Sequence, residues 1–360
     1  MTVTTSASLD AGPLVDATGV TLRLQDRHAR LRGVRLFQEI RIPGDQLDFS
    51  YRRGWWRLRV PRPAVDRMEY LLELRHPNEG RETIPDPSNP HRVAGAFGDK
   101  SVVEFPGYRR PDWLDRPTVP ATVSELAIGS RELGSTVRGF LWSPESLAAD
   151  EPAPLLVAND GPEYATLAGL TTFAGALIDE GRLPPLRVAL LAPGDRNRWY
   201  AVSPSYARAL TGEVLPALAD QVRSTVRIGM GASLGALAML HAHRLFPTGE
   251  TALDGLFLQS GSFFDLRFDA HERRFARFGP VMRFVREVTQ AVADPRPIPV
   301  RMTCGTIEEN LANNQAMAAA LDRLGYDVQL AEVPDVHNYT AWRDAFDPHL
   351  VDLVRVVTGR

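Results

Sequence analysis

The sequence predicts an all-β sandwich over residues 1–120, followed by an α/β domain over 121–360 whose mostly parallel sheet is flanked by helices. Three observations lead there. Short apolar or alternating runs broken by turn residues fill the first third of the chain. From about residue 121 onward, strand-like and helix-like segments alternate. The length, 360 residues, exceeds what one ordinary hydrophobic core organises.

In the first domain, Trp55-Trp56-Arg57-Leu58-Arg59-Val60 alternates, and Tyr70-Leu71-Leu72-Glu73-Leu74 is a second strand-like run. A stretch rich in Pro, Asn, Asp and Gly separates Pro77 from Pro90. The Trp55-Trp56 pair resembles a carbohydrate platform, but successive strand residues face opposite ways, so core packing with one exposed ring is expected. Pro111, Pro117 and Pro120 mark a linker. Beyond it the pattern predicts strands at 155–158, 188–191, 225–230, 256–258, 300–303 and 328–333. Helices are predicted at 170–178, 206–222, 233–245 and 311–324, with 339–357 mostly helical.

Composition excludes several classes. Net charge is −3, so no basic field calls for a nucleic-acid partner. Hydrophobic residues at 44% and charged residues at 24% exclude a disordered chain, a collagen and a coiled-coil rod. No run reaches the roughly 18 apolar residues of a membrane span. The start, MTVTTSASLDAG, has neither a basic nor an apolar leader region, so a cytoplasmic protein is expected. The single cysteine, Cys304, allows no intrachain disulfide and no multi-Cys zinc cluster. Lys100 is the only lysine, a bias that fits a GC-rich genome. Oligomeric state is not encoded in any pattern found.

The sharpest motif is Gly231-Ala232-Ser233-Leu234-Gly235, a G-x-S-x-G. Alone it is common. Here a strand at 226–230 leads in and a helix from Leu234 leads out, the strand–turn–helix that exposes a nucleophilic serine at a sheet's carboxyl edge. The plainer reading is that Ser233 only caps the helix. A serine nucleophile needs a base, and this architecture runs Ser, acid, His along the chain. His337 follows the strand ending at Val333, whereas His349 falls inside a helical pattern. The acid belongs after the strand at 300–303, where Glu308 and Glu309 stand; Glu308 is favoured. Both could instead complement a helix dipole. An oxyanion hole would use the Leu234 N–H and one from Asn159-Asp160-Gly161-Pro162, for which Gly161 is the choice, because Pro162 has no N–H. No metal or organic cofactor is needed for this chemistry.

Other segments follow strand ends and could line a pocket: Asp160, the run with Arg196, Arg198 and Trp199, the pair Phe263 and Phe264, and Tyr339. Phe275, Phe278, Val281, Met282 and Val285 recur at helical spacing with Arg273, Arg274, Arg277 and Arg283 among them. That reads as an amphipathic helix with a solvated face, or as a cap offering cations to an anionic substrate. Cys304 has no basic partner nearby and reads as structural.

Together these residues resemble the esterase branch of the α/β-hydrolases that includes the enterochelin (ferric siderophore) esterases. The resemblance covers roughly 121–357. It rests on Asn159 to Tyr164, on Arg196 with Tyr206 and Glu213-Val214-Leu215-Pro216, on the Gly231–Gly235 elbow, on Gln259-Ser260-Gly261-Ser262-Phe263, on Gly305 with Glu308, and on His337 with Tyr339 and Trp342. Asp335 and Val336 stand where the family often has Gly-Gly, Trp199 replaces a Glu, and Ala236 replaces the Gly after the elbow. The segments 86–90 and 97–101 are similar to the immunoglobulin-like (E-set) domain that precedes some of these hydrolases. The resemblance implies a serine esterase with a Ser233–His337–Glu308 triad acting on a small-molecule ester of siderophore type. It also leaves room for a mycolyltransferase-like acyltransferase, an acetyl or feruloyl esterase acting on carbohydrate, or a non-catalytic binding protein on the same fold.

Overall fold

The computed structural model describes residues 12–246, 249 and 252–359. The first 11 residues, on which the leader reading rests, lie outside the described residues. The chain divides into two compact units. One comprises Met1–Arg110 with Thr306–Glu308 and Pro334–Asn338; the other comprises Pro111–Gly305, Glu309–Val333 and Tyr339–Arg360.

The first unit is built from β1 (Leu14–Asp16), β2 (Gly19–Gln25), β3 (Gly33–Gln38), β4 (Ser50–Arg52), β5 (Trp55–Pro61), β6 (Arg67–Arg75), β7 (Arg81–Ile84), β8 (Arg92–Val93) and β9 (Lys100–Glu104). One sheet has the order β1-β2-β5-β4, and a second runs β3-β6-β9-β8 with β7 beside β6; all pairings are antiparallel. Alternation sets the core. Val20, Leu22 and Val60 from the first sheet join Val34, Leu36, Met68, Leu72 and Val103 from the second in one buried cluster. Trp56 is buried there with its indole N–H on Asp26 Oδ2 at 3.2 Å, while Trp55 is half-buried on the opposite side of the pleat. Val336 is 4% exposed in this same core, and Ile307 packs against it.

The second unit carries one eight-stranded sheet. Its strands are β10 (Ala121–Ser130), β11 (Ser135–Pro144), β12 (Ala153–Asn159), β13 (Arg187–Leu191), β14 (Ser224–Ala232), β15 (Gly255–Gln259), β16 (Val300–Gly305) and β17 (Val328–Val333). The order is β10-β11-β13-β12-β14-β15-β16-β17, parallel from β13 to β17, with the β10–β11 hairpin antiparallel at one edge. All seven residues of β12 are buried, as a strand covered on both faces requires. Leu155 and Val157 enter the core shared with helices Leu234–Leu245, Phe278–Gln290 and Leu311–Arg323. Leu156 and Ala158 enter the other, shared with Leu170–Asp179 and Phe346–Thr358.

The sequence reading assigns no strands to 121–144. Burial mostly alternates in this hairpin, at Leu126, Ile128, Val137 and Leu141, with Trp142 the exception, so it lacks the continuous apolar run of the central strands. The helix expected at 206–222 forms as Pro204–Ala209, a π-turn at Leu210–Val214 and Leu215–Ala219. Pro216 offers no N–H to the preceding turn, which fits the changed pitch there.

Candidate active site

Ser233 sits between the end of β14 and the helix Leu234–Leu245, with φ 55° and ψ −122°. This backbone conformation is costly for a side-chain-bearing residue and persists only when its surroundings enforce it. They do. Ser233 N–H donates to Gln259 O at 2.9 Å, and its own carbonyl accepts from Ser262 N–H at 3.2 Å. A methyl group on Gly231 would lie 2.4 Å from the Gly235 carbonyl carbon, so the chain can fold back this tightly only with glycine there. The Ser233 hydroxyl lies 3.0 Å from the Ser262 hydroxyl.

The loop after β12 is clamped onto this elbow. Asn159 Nδ2 donates to Gly235 O at 3.0 Å, and Tyr206 donates its hydroxyl to Asn159 Oδ1. Asp160 adopts a left-handed conformation (φ 53°) and is 2% exposed. Arg196 holds its carboxylate with two parallel bonds, Nε to Oδ1 at 2.9 Å and Nη2 to Oδ2 at 2.8 Å. The Asp160 N–H is taken by the Tyr200 hydroxyl at 3.3 Å. Gly161 opens the helix Gly161–Leu167, where the first N–H groups have no intrahelical acceptor. A Cβ at Gly161 would meet the Leu190 backbone at 2.3 Å, so this position also requires glycine. Leu234 is the first residue of its own helix. Burial pushes the Tyr164 and Tyr200 phenols well above their ordinary range, so both stay neutral hydrogen-bonding groups.

The segment 259–262 is pinned from several sides. Gln259 accepts from the Tyr164 hydroxyl at 2.9 Å and donates to Trp342 O at 3.0 Å; the Trp342 indole donates to Ser260 Oγ at 3.0 Å. Asn314 brackets Gly261, accepting its N–H and donating to its carbonyl, both at 2.9 Å.

In the first unit, His337 Nδ1 lies 2.8 Å from Glu308 Oε2. The Glu308 side chain is 2% exposed and that of His337 36%, a buried acid beneath a half-buried imidazole. Glu309 does not share this arrangement: it is exposed and pairs with His271 at 3.0 Å. His349 lies within the helix Phe346–Thr358, as its pattern predicts, and burial lowers its pKa.

The remaining candidates are placed as follows. Trp199 is 5% exposed and stacks on Tyr206 with ring centroids 6.1 Å apart. Arg198 is exposed, its N–H on Asp195 Oδ1. Tyr339 stands edge-on to Tyr164 at 5.6 Å and to Trp342 at 4.8 Å. Phe263 and Phe264 are buried and form part of the wall of a cavity of about 300 Å³, with Leu266, Phe268, Arg286 and Asn313 among its other walls. Of the arginine-studded stretch, only the part from Phe278 onward forms the amphipathic helix Phe278–Gln290, with Phe278, Val281, Phe284, Val285 and Val288 buried and Arg283 in it; Arg273 and Arg274 lie in the preceding short turn Ala270–Arg274, and Phe275 and Arg277 stand before the helix. Cys304 is buried in β16. Among the described residues, the ligand atoms of His271, Glu272 and Glu309 lie within 4.8 Å of one another at the surface, a cluster common without any ion. No helix among the described residues is long and apolar enough to cross a membrane.

The sequence motifs include Ser262, Asn159 and Tyr206, but not the contacts Ser262–Ser233, Tyr200–Asp160 and Tyr206–Asn159. Their partners are distant in the chain and leave no local spacing to detect.

An eight-stranded, mostly parallel sheet with a serine on a strained strand-to-helix turn, accompanied by an antiparallel β unit, defines an α/β-hydrolase fold with an N-terminal β extension. Particular solved structures share it. The ferric enterobactin esterase from Salmonella typhimurium matches with a TM-score of 0.78 at 20% identity, covering 97% of this chain and 98% of that one. The enterobactin esterase from Shigella flexneri, crystallised in the presence of enterobactin, matches at 0.77 and 19%, covering 96% and 97%. A ferulic acid esterase matches at 0.53 and 17%, covering 66% of this chain and 99% of that one. No family model matches the chain, and no curated protein does. At these identities the likeness establishes the fold: that of the enterobactin esterases, along nearly the whole chain.

Proposed function

We propose that the protein is a serine esterase. Ser233 Oγ attacks an ester carbonyl carbon while His337 Nε2 takes its proton. Glu308, on Nδ1, fixes the tautomer and stabilises the imidazolium. The Leu234 and Gly161 N–H groups receive the oxyanion. The imidazolium then protonates the departing alcohol, leaving an acyl-serine. Water, deprotonated by His337, attacks the acyl carbon, and the imidazolium returns that proton to Ser233 Oγ as the acid leaves. The observation that carries this reading is the strained elbow at Ser233, whose positive φ is held by bonds to Gln259 and Ser262. The buried Glu308 set on Nδ1 of His337 supports it from the other end of the triad.

For the substrate we favour a siderophore-type ester. The support is likeness over 96–97% of this chain to enterobactin esterases, against 66% for the ferulic acid esterase. The test is hydrolysis of a short-chain p-nitrophenyl ester by the wild type and by Ser233→Ala, followed by a panel of catecholate siderophore esters and feruloylated sugars. Loss of several orders of magnitude, up to about 10⁶, in Ser233→Ala is expected. Equal activity of the two proteins would sink the nucleophile assignment. Preference for feruloylated sugars would replace the siderophore substrate with acylated carbohydrate.

A further inference from the structure

The histidine and its acid belong to the same compact unit as the N-terminal sheets, and four successive residues of that unit grip both. Ala64 O accepts from Thr306 Oγ1 at 3.4 Å, two residues before Glu308. Val65 is 1% exposed in the core that Ile307 and Val336 also join. Asp66 N–H donates to Pro334 O at 2.8 Å, and Asp66 O accepts from Phe105 N–H at 2.9 Å, which ties the grip to the end of β9. Arg67 opens β6, is 2% exposed, and sets its guanidinium 3.4 Å from Asp335 Oδ2, two residues before His337. Asp335 in turn uses Oδ1 to hold the Val336 N–H at 2.8 Å and Asn338 Nδ2 at 3.4 Å, one residue on each side of the histidine. The same guanidinium bonds Glu69 at 3.1 Å and lies over the Tyr108 ring. It is therefore anchored independently of Asp335, and Lys100 stands 3.5 Å from the same glutamate.

An imidazole that must shuttle a proton has to be held to a fraction of an ångström, and groups outside the reacting set supply that constraint. We infer that Arg67 and Asp335 are positioning residues for His337, and that the N-terminal unit, through residues 64–67, sets the geometry of the His337–Glu308 pair. The inference rests on the esterase reading for its kinetic consequence, though not for its geometry. A buried ion pair is weak evidence for stability; here its members bracket the histidine turn, which gives the pair a second reason to exist.

The test uses the full-length protein with Asp335→Asn, which keeps the shape and leaves Arg67 its Glu69 partner. Ester hydrolysis should show kcat at least tenfold lower, with KM within twofold and an essentially unchanged melting temperature. The downfield Nδ1 proton resonance of His337, which reports the bond to Glu308 without any substrate, should move upfield or broaden. The control is Asp26→Asn. That buried carboxylate bonds Arg30 N–H, Leu31 N–H and the Trp56 indole at the far side of the same core. Its loss should lower stability and leave kcat alone.

A folded Asp335→Asn protein with wild-type kcat and resonance overturns the inference, as does an equal fall in kcat for Asp26→Asn. If Asp335→Asn does not fold, Arg67→Lys, which keeps the charge but loses the planar fork, is read by the same criteria. Failure of both to fold makes the pair a stability element and also overturns it. Ser233→Ala is run alongside. If that variant stays active, the esterase reading fails, and the His337 resonance still decides the positioning claim.

Discussion

His337 Nδ1 rests 2.8 Å from Glu308 Oε2, while the very next residue, Glu309, reaches to His271 instead. Two adjacent glutamates at the end of one strand thus sit in different electrostatic settings, one buried beneath an imidazole and one in solvent. This predicts unequal consequences. Glu308→Gln should lower kcat for an ester substrate by about 10²–10⁴, because the imidazole loses its tautomer control. Glu309→Gln should stay within twofold of wild type. Steady-state kinetics of both variants would check this, and equal losses would refute it.

Gly231→Ala should damage the fold more than a single methyl suggests. The added carbon would lie 2.4 Å and 2.6 Å from the Gly235 carbonyl carbon and oxygen, which are backbone atoms that cannot swing aside. A loss on the order of 1–3 kcal/mol or more is expected. Urea unfolding reads it directly; an unchanged midpoint would mean that the elbow is looser than its geometry implies.

Arg196→Lys should not be a conservative change. The two parallel bonds from Nε and Nη2 to the 2%-exposed Asp160 cannot be made by an ammonium. Loss of one bond to a buried carboxylate is expected to cost about 1–3 kcal/mol. Thermal unfolding should show it, with a fall in kcat as the loop bearing Gly161 shifts. Wild-type behaviour on both counts would free Arg196 for another role.

Stability should fall on mild acidification. Burial holds both His241 and His243 down to about 4, whereas an unfolded histidine protonates near 6.5. Between those values the unfolded chain binds protons that the folded one refuses. The stabilisation is therefore complete above about pH 6.5 and is lost as pH falls toward 4, at roughly 1.4 kcal/mol per unit of displacement. At His243 burial outweighs the Arg296 carbonyl, 3.1 Å from Nε2, and the nearby Asp294, which both favour the charged ring, and Nδ1 faces no hydrogen-bond partner. Denaturant midpoints at pH 7.5 and pH 5 would test this, and His241→Leu should flatten the difference. Identical midpoints in the wild type would contradict it.

Much of the architecture is legible in the sequence because its signals are local. The fully apolar β12, the G-x-S-x-G between a strand and a helix, and a histidine just past the last strand all announce themselves within a few residues. That Glu308 and not Glu309 turns toward His337 could be argued only weakly from sequence, since which of two neighbours turns inward depends on tertiary packing, here that of the adjacent Ile307 against the core of the first unit. The β10–β11 hairpin was invisible because a half-solvated edge carries a diluted apolar pattern. Arg67 and Asp335 were invisible for a different reason: a contact between residues so distant in the chain has no spacing rule, and an arginine opening a strand reads as surface.

Val336 completes a hydrophobic core whose other fully buried members all lie between Val20 and Phe105 in the chain. Roughly 230 residues must be added before it arrives, on the order of ten seconds or more at ordinary ribosomal speed. Residues up to Arg110 therefore do not supply the whole of that core, and the peptide that completes it carries His337. Completion of the first-made unit and arrival of His337 become one late event, so a chain stalled at residue 330 would already hold Ser233 and still lack His337.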